Sequence, residues 1–107
     1  MKFLSIVATA ILSASSAFAG GANDMMTARE LGQIVGSAEI CSYDLDADKV
    51  ADVVSDALAK MEAVNRSAYQ TGSSAQKSRI ERMTSTERKV TCATQAKLAA
   101  KYGILAK

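Results

Sequence analysis

No proline occurs among the 107 residues of the chain, and apolar residues recur at intervals of three and four over long stretches. Proline interrupts helices because it lacks a backbone N–H and because its ring clashes with the preceding turn. Intervals of three and four bring side chains onto one face of an α-helix. The sequence therefore predicts an all-α fold, a small bundle of three to four helices.

A first helix is predicted from Met26 to Cys41. Its apolar face consists of Ala28, Leu31, Ile34, Val35, Ala38 and Cys41. Gly32 and Gly36 lie four residues apart on this helix, a spacing that lets two membrane helices approach closely. The charged side chains of the segment exclude a membrane span, so we expect a close contact with another helix of the bundle.

A second helix is predicted to begin after Asp46, whose carboxylate can accept hydrogen bonds from the free N–H groups of a first turn. Leu45 before this cap and Val50 within the helix are spaced as a hydrophobic staple. The apolar face continues to Ala68, and the helix is predicted to end near Tyr69, where Gln70–Ser73 follow as a stop.

Two capping-box spacings follow this stop, Ser73 with Gln76 and Thr84 with Glu87. In a capping box the first side chain accepts from the backbone N–H of the fourth residue, and the fourth side chain accepts in return. These spacings predict a third and a fourth helix, or one continuous helix with a kink. Gly103 fits the C-terminal cap of the last helix.

Residues Met1 to Ala19 have the order of a cleavable secretory signal peptide. Lys2 precedes an apolar core of about ten residues, and the small residues Ala17 and Ala19 occupy the positions that a signal peptidase reads. A membrane span would need roughly 20 apolar residues. We therefore expect a signal peptide over residues 1–19, a single helical domain over residues 20–107, and a periplasmic or secreted location.

Cys41 and Cys92 are the two cysteines of the chain. In an oxidising compartment, a pair of cysteines in a small domain is most simply a disulfide. A zinc site would need further nitrogen or sulfur ligands, and the chain contains no histidine. We expect one Cys41–Cys92 disulfide that closes the bundle, and the loop-entropy model gives it a contribution of roughly 4 kcal/mol.

Charge is distributed unevenly along the predicted mature chain. Residues 20–62 contain nine acidic and three basic side chains, whereas residues 63–107 contain two acidic and nine basic ones. Such an asymmetry can mark a binding surface. The alternative is that oppositely charged helices lie side by side and neutralise each other.

The densest basic stretch is a candidate binding patch for an unknown protein partner or an anionic envelope surface. Its members are Lys77, Arg79, Arg82, Arg88 and Lys89. Export argues against nucleic acid as the ligand, and the stretch has no aromatic side chain on which bases could stack. The simpler alternative is an ordinary solvated helix face.

Signals for catalysis or metal binding are poor. Asp44, Asp46 and Asp48 imitate the opening of a calcium loop, but Lys49 stands where the loop needs glycine and Ser55 where it needs glutamate. Without histidine the chain lacks the commonest general base. We expect no enzyme activity, no catalytic residues, no metal and no cofactor.

Two segments resemble a loose group of small exported bacterial proteins. The stretch from Ala38 to Tyr43 is similar to the first cysteine region of that group. The stretch from Thr86 to Ile104 is similar to the second, in which a cysteine is followed by a terminal Tyr-Gly-apolar sequence, here Tyr102, Gly103 and Ile104. The group has no assigned activity, so the resemblance implies export and a disulfide without implying a function.

These features together predict a non-enzymatic periplasmic or secreted binding or accessory protein, such as an inhibitor, an immunity factor or a subunit partner. An acid- or stress-activated periplasmic chaperone is the alternative hypothesis. Protonation of the acidic half at low pH would leave the basic half self-repelling and could loosen the fold.

Overall fold

The computed structural model describes residues 23–107, so the predicted signal peptide lies outside the described residues. Helix α1 covers residues 23–41. It is followed by α2 (Ala47–Ala59), α3 (Ala63–Glu81) and α4 (Ser85–Lys101). The predicted all-α fold is confirmed, as is the Cys41–Cys92 disulfide. None of the helices in the described range combines the length and the apolar character that crossing a membrane requires.

The boundary between the second and third helices differs from the prediction. The second helix ends at Ala59, well before Tyr69, and the chain turns through residues 60–62 before α3 begins. Ser73 therefore lies in the middle of α3, and its predicted capping box with Gln76 does not exist. Gly72, which the sequence predicts to be part of a stop, is instead a buried residue within α3.

Burial of Met61 explains why the chain turns where the sequence contains no glycine or proline. Its side chain is only 8% exposed and packs in one cluster with Ala28 and Ala68. The guanidinium of Arg66 donates a 2.6 Å hydrogen bond to the carbonyl of Met61, which satisfies a polar group at the turn. Contacts with α1 and α3 thus fix a break that local residue preferences do not indicate.

The predicted caps of α2 and α4 are confirmed. The Asp46 carboxylate accepts from the backbone N–H groups of Asp48 and Lys49, each at 3.1 Å. Thr84 and Glu87 form both hydrogen bonds of a capping box. Because α3 ends at Glu81 and this box starts α4 anew, the two are separate helices rather than one kinked helix.

Glycine brings the backbones of α1 and α3 into direct contact. A Cβ atom on Gly32 would collide with the carbonyl oxygen of Tyr69, and one on Gly36 with the carbonyl oxygen of Ser73. From the other helix, a Cβ on Gly72 would lie 2.6 Å from the carbonyl oxygen of Arg29. Only residues without a side chain allow this separation, which confirms the close helix contact expected from the Gly32–Gly36 spacing.

Apolar side chains pack in two clusters of buried residues. The first joins α1, α2 and α3 around Ala28, Met61 and Ala68. The second joins α1, α2, α4 and the C-terminal tail around Ile34, Ala99 and Ile104, none of which is exposed. The disulfide connects the end of α1 to α4, with 5.2 Å between its Cα atoms. α1 therefore contributes to both clusters and also carries one cysteine of the bridge.

Gly103 caps the last helix as predicted, and the C-terminal tail folds back and closes the second cluster. Gly103 adopts a φ of 73°, and the N–H of Ile104 bonds to the carbonyl of Ala99, as in a Schellman cap. The tail then pairs with the segment before α2. Asp46 N–H donates to the Ile104 carbonyl at 2.9 Å, and Ala106 N–H donates to the Asp44 carbonyl at 3.0 Å.

Substituting Gly32 tests the backbone contact. We expect Gly32→Ala to lower the free energy of unfolding by about 2 kcal/mol or more, because overpacking costs more than the ~1 kcal/mol that alanine gains in a helix. Urea unfolding followed by circular dichroism measures this loss. Ser74→Ala, at an exposed position of α3, is the control and should change stability by less than about 0.5 kcal/mol. A neutral or stabilising Gly32→Ala would refute the contact.

Substituting Ser42 tests the end of α1. Ser42 has a φ of 59°, and the N–H of Tyr43 bonds to the carbonyl of Ala38, so α1 ends in a Schellman cap with serine at the left-handed position. Glycine adopts this conformation without strain. We expect Ser42→Gly to raise the free energy of unfolding by about 0.5–1 kcal/mol, whereas Ser42→Ala should give no such gain. Equal effects of the two substitutions in urea unfolding would contradict this assignment.

Candidate functional site

Three cationic side chains surround the turn between α3 and α4. Arg82 is the C-cap residue of α3, and Arg88 and Lys89 lie in the first turns of α4. All three are exposed. We refer to Arg82, Arg88 and Lys89 as the basic corner.

The helix ends determine where these side chains lie. The guanidinium of Arg88 donates a 3.4 Å hydrogen bond to the carbonyl of Glu81, in the last turn of α3. Cations are favoured at that end of a helix, because its free carbonyl groups carry partial negative charge. The guanidinium of Arg82 donates to the hydroxyl of Ser78 at 3.4 Å. The two arginines thus have single, exposed hydrogen bonds that leave most of their N–H groups facing solvent.

Of the two carboxylates adjacent in sequence to this corner, those of Glu81 and Glu87, the second is engaged in the cap of α4. Glu87 accepts a 2.9 Å hydrogen bond from the backbone N–H of Thr84. This bond to the backbone of Thr84, and a second interaction with its side chain, hold the pKa of Glu87 below its usual value. The cap thereby keeps the Glu87 carboxylate charged and directed at the helix end.

The other two residues of the predicted patch lie away from the corner. Lys77 and Arg79 are two positions apart on α3, so they point in nearly opposite directions. The ammonium of Lys77 lies 4.0 Å from a carboxylate oxygen of Glu39 on α1. Arg79 lines a cleft between α1 and α3. The structure therefore divides the five predicted residues among three places on the surface.

Few ion pairs connect the acidic and basic halves. Within residues 23–107, two pairs lie within 4.0 Å, Lys77 with Glu39 and Lys60 with Asp56. Only the first joins the two halves, and both of its side chains are largely exposed. Three carboxylates of α2, those of Asp48, Asp52 and Asp56, are exposed at intervals of four. Direct pairing thus leaves most of the charge on both halves facing solvent.

The acidic residues do not converge on a cation site in the described part of the chain. No group of three or more His, Cys, Asp or Glu side chains in residues 23–107 has the arrangement of a metal site. Of the three aspartates that imitate a calcium loop, Asp46 caps α2 with its carboxylate.

The three tyrosines are structural rather than acid–base groups. The hydroxyl of Tyr43 donates to the carbonyl of Ile34, and burial raises the pKa of Tyr43 to about 12. Burial also raises the pKa of Tyr69 and of Tyr102, and the charge of Glu30 adds to the effect at Tyr102. None of these phenols is suited to exchanging protons near neutral pH.

No protein-family model, curated protein sequence or solved structure matches this chain.

The cleft between α1 and α3 was not predicted from the sequence. Arg29 belongs to the acidic half and Arg79 to the basic half, and fifty positions of sequence separate them. The only sequence signal was the Gly32–Gly36 spacing, which predicts a close helix partner without naming α3. Both side chains line the same cleft once that contact forms.

The cap of α4 gives a prediction for acid pH. A carboxylate whose pKa is lower in the folded state stabilises the fold above its unfolded pKa, and this stabilisation is lost as pH falls through the folded pKa. We expect Glu87→Gln to be less stable than the wild type at pH 7, and the difference to close as pH falls below the ordinary value of 4.5. Thermal unfolding across this range measures it.

Glu81→Gln is the matched control, because it removes the same charge from the neighbouring helix end without touching the cap. The difference in stability between Glu81→Gln and the wild type should not close as pH falls, in contrast to the difference for Glu87→Gln. A difference between wild type and Glu87→Gln that stays constant from pH 7 to below pH 4.5 would contradict the assignment.

Proposed function

We propose that this chain is a non-enzymatic binding or accessory protein of the periplasm or the extracellular space, and that it binds an acidic partner protein through the basic corner. An inhibitor, an immunity factor or a subunit partner would act in this way. The observation that carries the proposal is the exposure of Arg82, Arg88 and Lys89 without a carboxylate within 4.0 Å in residues 23–107.

The three exposed cations of the basic corner favour recognition of a partner more than they favour the stability of the isolated chain. Exposed cations that lack a partner repel one another, whereas a complementary acidic surface turns the same groups into a steering field that speeds association. Arginine adds directional contacts, because its planar guanidinium can donate two parallel hydrogen bonds to one carboxylate.

The rigidity of the scaffold supports a binding role. The corner lies between two helices, and a capping box fixes the start of the second one, α4. α4 is in turn tied to α1 by the disulfide. A surface that is ordered before binding loses less conformational entropy when its partner arrives.

Affinity capture with charge-reversed variants tests the proposal. Immobilised wild-type protein is incubated with periplasmic extract or culture medium at increasing salt. The corner variant replaces Arg82, Arg88 and Lys89 with glutamate, and the matched control replaces Lys97, Lys101 and Lys107, which are also exposed. Both variants change the net charge equally. We expect an acidic partner to bind the wild type and the control but not the corner variant, and its binding to weaken as salt rises.

Equal loss of the partner in both variants would show that net charge rather than the corner is responsible, and would refute the proposal. Capture of no specific partner by the wild type at any salt would also refute it. A parallel assay of client aggregation addresses the chaperone hypothesis, which predicts suppression at acid pH and little at neutral pH. The binding proposal predicts no suppression at either pH.

A further inference from the structure

An open cleft of about 430 Å³ lies between α1 and α3. Its charged lining consists of Arg29 from α1 and Arg79 from α3, and no acidic residue lines it. Gln33, Thr71, Gly72 and Ala75 complete the walls. The cleft is separate from the basic corner, whose three residues do not line it.

The helix crossing creates this juxtaposition of two cations. Thr71, Ala75 and Arg79 follow one another at intervals of four, so they form one stripe along α3. Arg29 and Gln33 are likewise four apart on α1. The contact between Gly72 and the backbone of Arg29 holds the two stripes together. Backbone packing therefore fixes where the two exposed arginines leave their helices.

A hydrogen bond to a buried side chain also holds one of the two guanidiniums. Arg79 donates a 3.3 Å hydrogen bond to the side-chain carbonyl of Gln76, which is only 2% exposed. Neither Arg29 nor Arg79 has a carboxylate within 4.0 Å in the described part of the chain. Gln33 supplies further hydrogen-bonding groups at the wall.

From this arrangement we propose that the α1–α3 cleft binds a phosphate group, either inorganic phosphate or a phosphate monoester. Two neighbouring cations match the double negative charge that such a group carries near neutral pH. Its tetrahedral oxygens can accept from both guanidiniums at once, whereas one carboxylate offers only two oxygens. The proposal does not depend on the basic corner or on a protein partner.

Titration with inorganic phosphate, followed by the amide signals of the ¹⁵N-labelled protein, tests the proposal at constant ionic strength. We expect saturable shifts centred on Gly72, Gln33 and the two arginines. Arg29→Gln and Arg79→Gln should each weaken binding by about fivefold or more, because each removes one charge-assisted contact. Arg88→Gln, which removes the same charge at the basic corner, should change the affinity by less than about twofold.

Two further measurements distinguish the guanidinium shape from charge alone, and free phosphate from an esterified phosphate. Arg79→Lys preserves the charge and, at an exposed position, should leave the fold intact; we expect it to weaken binding because lysine lacks the guanidinium fork. Acetate should bind more weakly than phosphate, and glycerol 3-phosphate measures whether an esterified phosphate is accepted as well as the free ion. Tighter binding of the ester would identify a monoester as the ligand, and tighter binding of phosphate would identify the free ion.

Shifts that rise linearly without saturation, or equal weakening by Arg88→Gln and Arg79→Gln, would overturn the proposal. Either result would mean that phosphate only screens the overall charge. Loss of phosphate binding would leave the affinity-capture experiment on the basic corner unaffected, so the two proposals fail independently.

Discussion

The direct contact between the backbones of α1 and α3 is the constraint on which the rest of the structure depends. Gly32, Gly36 and Gly72 leave no room for a side chain between the two helices. α3 has few large buried apolar side chains, so its packing on α1 depends on close approach and many small contacts as well as on burial. A change of separation at this point would therefore disturb the first apolar cluster, which joins α1, α2 and α3.

The other constraints act on the same helix. The disulfide ties the end of α1 to α4, and Tyr43, just beyond that end, donates its hydroxyl to the carbonyl of Ile34 in α1. The C-terminal tail then covers the second cluster with Ile104, which is completely buried. α1 is thus the central element of the fold: it forms one wall of the α1–α3 cleft, and the two helices that carry the basic corner pack against it.

Local signals in the sequence predicted three of the helix caps, whereas the Ser73–Gln76 spacing, also a local signal, was wrong because it lies inside α3. The Asp46 cap, the Thr84–Glu87 capping box and the Gly103 cap each depend on residues within a few positions, and all three are confirmed. The break between α2 and α3 depends on Met61, whose partners Ala28 and Ala68 belong to other helices.

The sequence predicts the five basic residues as one patch, but Lys77 and Arg79 lie on opposite faces of α3. The cleft with Arg29 requires the helix crossing, which sequence spacing suggested without identifying the partner.

Native-state hydrogen exchange of the disulfide-bonded protein is the most direct test of the central role given to the α1–α3 contact. It reports the free energy at which each backbone amide opens. If the contact organises the fold, amides of residues 32–36 and 69–73 should exchange only through global unfolding, with the free energy that denaturant titration gives. Amides of α2 should open at lower free energy. Exchange at the crossing that is faster than in α2 would contradict this account.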